Sequence, residues 1–197
     1  MGRTVDPARH QARRLQIIDA ALTHFAQDGF DRATTTAICR TAGIGSGTFF
    51  HYFPTKQAVL LAVLDRGTTE TAGWFDVQRD RADPLQVIVD YVAHNADECA
   101  DPRVPGFVRA VGAVMRDEEV AGALARDESV VRQGLLPWIR AAAERGEVRC
   151  DQSPERLTAW LALLLDSYLG RVSAQPQVDA DEEKQMLLDT VRRMLRP

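Results

Sequence analysis

The densest run of chemically versatile side chains is Ser46-Gly47-Thr48-Phe49-Phe50-His51-Tyr52-Phe53-Pro54-Thr55-Lys56. Hydroxyls, a threonine methyl, an imidazole, a phenol and an ammonium lie close together there, and two small residues precede them. Such a set suits reading more than reacting. A hydroxyl or imidazole can bond to a base edge, a threonine methyl can meet a thymine methyl, and a lysine can meet a phosphate. Catalytic constellations are missing elsewhere. The four histidines are dispersed at 10, 24, 51 and 94, with no HExxH and no metal-ligand spacing. No GxSxG, phosphate-binding loop or dinucleotide fingerprint occurs. The carboxylate runs Glu118-Glu119 and Asp181-Glu182-Glu183 fall at helix starts, where the helix dipole accounts for them. The chain is therefore not expected to be an enzyme, and neither a metal nor a cofactor is implied.

The elements that must carry these side chains can be read just upstream. Thr34 or Thr35 can cap a short helix by accepting from its free N–H groups. Ile38 and Ala42, four apart, share its inner face. Gly43 suits the left-handed position past the helix end, with Ile44 packing back. A second short helix then begins near Ser46. Phe49 and Phe53, again four apart, belong in the core, which leaves Phe50, His51 and Tyr52 on the outer surface. Lys56, at the start of the following helix, is placed to meet a phosphate. One bracing helix, a tight turn and one slim helix is the order of a helix-turn-helix DNA reader, with its motif over about residues 34–53.

Residues 12 to about 66 resemble the N-terminal DNA-binding domain of the TetR family of transcriptional regulators. The likeness lies in Ile17-Ile18-Asp19-Ala20-Ala21-Leu22 with Phe25, Gly29-Phe30, the threonine-rich start at 34–36, Ala42-Gly43-Ile44, and Gly47 to Phe53 with Lys56. It implies an all-helical homodimer whose larger C-terminal domain binds a small molecule and thereby releases DNA. By position it carries DNA contact onto Thr35, Thr36, Ser46, Gly47, Thr48, Phe50, His51, Tyr52 and Lys56. Two positions depart from the family pattern. Phe50 stands where tyrosine is usual, and Gly45 where a capping serine is usual, so the cap is weaker or shifts to Ser46.

Charge is distributed as such a reader would need. The 197-residue chain carries a formal net charge of −4, yet residues 1–56 hold seven basic against four acidic groups. A basic end on an acidic body limits non-specific binding. The start Met1 to Asp6 shows no apolar secretion core, and the longest apolar run, Ala159 to Leu165, is far short of the ~20 residues that span a bilayer. Cysteines at 39, 99 and 150 lack CxxC spacing and read as small core residues of a reduced compartment. A cytoplasmic location is expected.

Beyond the motif the pattern stays helical, with nine or ten helices and no strand signals. The first helix should end at Asp28-Gly29, with a stripe of Leu15, Ile18, Leu22 and Phe25. A long fourth helix from Thr55 carries a domain border near residue 66. Residues 1–66 then form the DNA-binding domain and 67–197 the effector and dimerisation domain. Asp83-Pro84 opens a helix, which Asp101-Pro102 and Pro105-Gly106 break. Pro137 should kink or divide the helix from Glu118 to Arg145. Ser153-Pro154 and Gln175-Pro176 bound the next. Its apolar residues cover more than one face, so one of them needs a partner. Leu161, Leu164, Leu165 and Tyr168, with Leu187, Val191 and Met194 of the last helix, are the candidate dimer interface. Trp74, Tyr91, His94, Phe107, Met115, Trp138 and Tyr168 are candidates for an effector pocket, with an apolar or aromatic compound expected. The reading is a ligand-responsive regulator, most simply a repressor on a palindromic operator. The alternative is a helical regulator that activates or that takes no small ligand.

Overall fold

The computed structural model describes residues 6–175 and 177–197. Residues 1–5, most of the start Met1 to Asp6, and Pro176 lie outside the described residues. Nine helices and no strand occur among the described residues.

Helix α1 (Pro7–Arg32) opens where the Asp6 carboxylate accepts from Ala8 N at 3.0 Å and Pro7 fills a first-turn position. It buries Ile17, Ile18, Ala21 and Phe25, whereas Leu15, expected on the same stripe, is exposed. Gly29 (φ 75°) does not end the helix; it interrupts it, and helix resumes to Arg32. Helices α2 (Thr35–Thr41) and α3 (Ser46–Tyr52) follow. Helix α4 (Lys56–Val77) is capped by Thr55 Oγ1, which accepts from Ala58 N at 3.0 Å.

Helix α5 (Pro84–Glu98) begins after Asp83, whose carboxylate pairs with Arg81 at 2.6 Å and makes no cap bond. Helix α6 (Val104–Val114) corrects the sequence reading, because Pro105 and Gly106 lie inside its first turn and do not form a break. Proline is tolerated there, since a first-turn N–H has no intrahelical acceptor. Helix α7 (Glu118–Glu144) contains Pro137 and is not divided. Helix α8 (Pro154–Ala174) starts with Ser153 Oγ accepting from Arg156 N at 3.2 Å. Helix α9 (Ala180–Leu195) starts with Asp179 accepting from the N–H groups of Asp181 and Glu182 at 2.9 and 3.1 Å.

These helices form two compact units: Met1–Gly67 with Gly106–Leu124, and Thr68–Pro105 with Ala125–Pro197. The divisions fall within α4, between Gly67 and Thr68, within the first turn of α6, between Pro105 and Gly106, and within α7, between Leu124 and Ala125. Residues 106–124, beyond the border expected near residue 66, pack with the first unit. The physical reason is a close contact. A Cβ at Gly106 would stand 2.0 Å from the Ala26 carbonyl oxygen, so only glycine lets α6 lie against α1. The first core joins Ile17, Phe25, Ile38, Phe49, Phe53 and Leu60 to Ala110, Val111 and Val120. The second core gathers Phe75, Ile88, Tyr91, Leu135, Ile139, Leu161 and Val191. Among the described residues, no helix is long and apolar enough to cross a membrane.

Candidate nucleic-acid interface

Local chemistry builds the motif largely as its residues dictate. Of the two threonines able to cap α2, Thr34 does so, with Oγ1 accepting from Ala37 N at 3.1 Å. At its other end, Gly43 takes φ 59°, Gly43 N donates to Arg40 O at 3.2 Å, and Ile44 N donates to Cys39 O at 3.0 Å. This pair of bonds is a Schellman closure. Ile38 and Ala42 are buried and Ile44 packs against them. Gly45 is the N-cap of α3 and supplies no side-chain bond, so the cap is weaker and does not move to Ser46.

Burial of Phe49 and Phe53, 6.1 Å apart between ring centroids, fixes the rotation of α3. Ser46, Gly47, Thr48 and His51 are consequently exposed, and Phe50 is 51% exposed. Thr36 is exposed on α2 and Thr35 is half-buried. Tyr52 differs from expectation. It is half-buried, its ring 4.5 Å from that of His10 on α1, and the His10 ring also meets His51 at 6.3 Å. His10 thus braces the recognition helix. Nothing in the sequence flagged it, because its partners lie more than forty residues downstream. A second missed contact is buried His24, whose Nε2 is 2.8 Å from Thr41 Oγ1 and whose Nδ1 is 3.2 Å from Asp28. It ties α1 to the end of α2.

Lys56 requires a correction. Its Nζ donates to the carbonyls of Phe30 at 2.5 Å, Asp31 at 3.1 Å and Ala33 at 3.0 Å, and it lies 4.4 Å from the Phe30 ring centroid. An ammonium has three protons, and all three have acceptors here. The side chain closes the end of α1 beyond the Gly29 break and is not extended toward a phosphate. Arg40, exposed on the last turn of α2, is a cation of this unit with its side chain in solvent.

The remaining candidates fall on both units. Trp74, Tyr91, His94, Trp138 and Tyr168 share the second. Trp74 stacks on His94 at 5.6 Å with planes 16° apart, and its ring is 5.1 Å from Tyr91. Phe107 packs into the first unit's core and Met115 is 54% exposed past the end of α6, so neither joins this group. Of the expected dimer residues, Leu161, Leu165, Tyr168, Leu187 and Val191 are buried in the chain's own core, and Leu164 and Met194 are half-buried. The large apolar residues left in solvent on these helices are Trp160, Leu163 and Met186. Helix α8 is apolar on two faces, and its sequence does not say which of them its own chain covers. Among the cysteines, burial pushes the Cys39 thiol up and the Cys99 thiol up to about 12, which leaves both poor nucleophiles, while Cys150 is exposed and not a core residue.

A capped bracing helix, a glycine-closed turn and a short helix with its polar face in solvent define a helix-turn-helix DNA-binding regulator. The sequence model of bacterial regulatory proteins, tetR family, matches residues 17–63. The transcriptional repressor Rv1474c of Mycobacterium tuberculosis is 30% identical over 171 residues, covering 83% of each chain. The transcriptional regulator UidR of Escherichia coli K12 is 27% identical over 161 residues, covering 81% of this chain and 80% of its own. A TetR transcription regulator from Haloarcula marismortui has the same fold, with a TM-score of 0.81 over 94% of this chain and 97% of that one at 17% identity. The chain belongs to the tetR family of bacterial regulatory proteins. Members of this family regulate transcription and are not enzymes.

Proposed function

We propose that the protein acts as a homodimeric repressor, released from a near-palindromic operator when a small, largely apolar or aromatic effector binds its second unit. The observation that carries this reading is the face of α3. Ser46, Gly47, Thr48 and His51 stand in solvent on a helix whose rotation two buried phenylalanines hold. Thr35, Thr36, Phe50 and the edge of Tyr52 extend that face, and Arg40 replaces Lys56 as the cation for the phosphate backbone. Trp160, Leu163 and Met186, between 51% and 64% exposed, supply an apolar face on α8 and α9 for a second copy. A dimer sets two recognition helices at the ~34–36 Å spacing of successive major grooves. Repression is favoured by the relative that is 30% identical, itself a repressor. Release follows if the effector binds more tightly to a conformer whose recognition helices no longer match that spacing.

The test is operator selection from genomic fragments, followed by binding of Thr48→Ala and His51→Ala to the selected site and to random duplex. Each variant should lose about 1–3 kcal/mol on the selected site and far less on random DNA. Equal losses on both would remove these residues from base reading.

A further inference from the structure

The second unit holds a group of carboxylates that DNA reading leaves without a task. Asp127 on α7 is half-buried and accepts from Thr68 Oγ1 at 2.9 Å. Glu98, the last residue of α5, lies 3.5 Å from His94 Nε2 and keeps 49% of its side chain in solvent. Burial lifts both carboxyls above the ordinary carboxylate range. Asp127 and Glu70 raise Glu98 further, against the opposing pull of His94. Asp166 on α8 is raised by burial and then by Glu128 and Asp127. Carboxylates from four helices are thus linked in sequence, Glu70 to Glu98 to Asp127 to Asp166, and His94 opposes the rise at Glu98.

Tyr91 adds an independent observation. It is 1% exposed and its hydroxyl has no hydrogen-bond partner. Thr71 is near enough to influence the phenol but does not reach hydrogen-bond geometry. Burial, followed by the charges of Asp127 and Glu98, pushes the phenol up, which puts the hydroxyl in the same neighbourhood as the carboxylates. A buried hydroxyl without a partner costs about 1–3 kcal/mol. Mutual repulsion between half-buried Asp127 and its neighbouring carboxylates adds to that cost. Both costs fall if a bound group brings positive charge and N–H donors, because an ammonium can donate to the phenolic oxygen and to a carboxylate together. Trp74, beside Tyr91 and stacked on His94, supplies an aromatic wall. No three His, Cys, Asp or Glu groups converge as a metal ion would require among the described residues.

We propose that this cluster is a binding site for a protonated aromatic amine, with its ammonium among Asp127, Glu98 and the Tyr91 hydroxyl and its ring against Trp74. That the amine is also the effector rests on the ligand-release reading above.

Calorimetric titration of the full chain with 1-naphthylmethylamine and with its uncharged isostere 1-ethylnaphthalene tests the site. The amine should bind at least about tenfold more tightly. Asp127→Asn and Tyr91→Phe should each weaken the amine by about tenfold and leave 1-ethylnaphthalene unchanged. Unliganded Asp127→Asn should melt no lower than the parent, since asparagine keeps the Thr68 bond and removes a charge that burial disfavours. Equal binding of the two compounds, binding of neither, or amine binding unaltered in both variants overturns the proposal. Operator release is read separately. DNA released by 1-ethylnaphthalene and not by the amine overturns the amine site while upholding ligand release. An amine bound through Asp127 with the operator still held overturns ligand release and upholds the site.

Discussion

Lys56 shows how a residue can be read correctly for type and position and still be misread for role. Lysine at the start of α4, close behind a recognition helix, suits a phosphate contact. Its acceptors, the carbonyls of Phe30, Asp31 and Ala33, lie between 23 and 26 residues upstream and come within reach only through the tertiary fold. Lys56→Met keeps the aliphatic stem and deletes the three donors. It should lower the stability of the first unit by about 1–3 kcal/mol, measured by thermal unfolding. The salt dependence of DNA binding should keep its slope. A slope reduced by about one unit with unaltered stability would return Lys56 to the phosphate backbone. Gly43 is the opposite case: its bond to Arg40 and the closing bond from Ile44 to Cys39 lie within a turn or so, so position and residue type suffice to read it. Phe49 and Phe53 pack on distant residues, but their four-residue spacing marks one inward face of α3.

At the scale of the helix, the same contrast separates α2 and α3 from α6. The two motif helices announce their own ends through Thr34, Gly43 and the small residues after it. Helix α6 hides its start, because proline and glycine side by side look like an interruption. The structure uses each for a different purpose: Pro105 in a turn that needs no N–H, and Gly106 for contact with the Ala26 carbonyl. Gly106→Ala should therefore destabilise the chain by about 1–3 kcal/mol or more, since the obstacle is backbone and cannot rotate away. Urea unfolding measures this, and Gly112→Ala, where a Cβ meets nothing within 4 Å, is the control. A stability at Gly106→Ala equal to that control would mean that α6 does not lie as close to α1 as described.

For the whole molecule, the decisive question is which face of α8 is left over. Composition shows that α8 has too many apolar residues for one stripe, but only packing shows that Leu161, Leu165 and Tyr168 face inward while Trp160 and Leu163 remain outside. Trp160→Glu with Leu163→Glu should turn a dimer into monomers by sedimentation, with helical content preserved and operator affinity much reduced. A dimer that survives both substitutions would place the contact elsewhere.

The first unit completes its interior with Ala110, Val111 and Val120, supplied from well beyond the midpoint of the chain. A chimaera spliced once after Gly67 would leave the reading head with an open seam where these side chains belong. Any graft that moves the head onto a foreign sensor must carry residues 106–124 along, and so needs three junctions in place of one. Exchange of sensors between such regulators is constrained by that interleaving as much as by the residues that touch DNA.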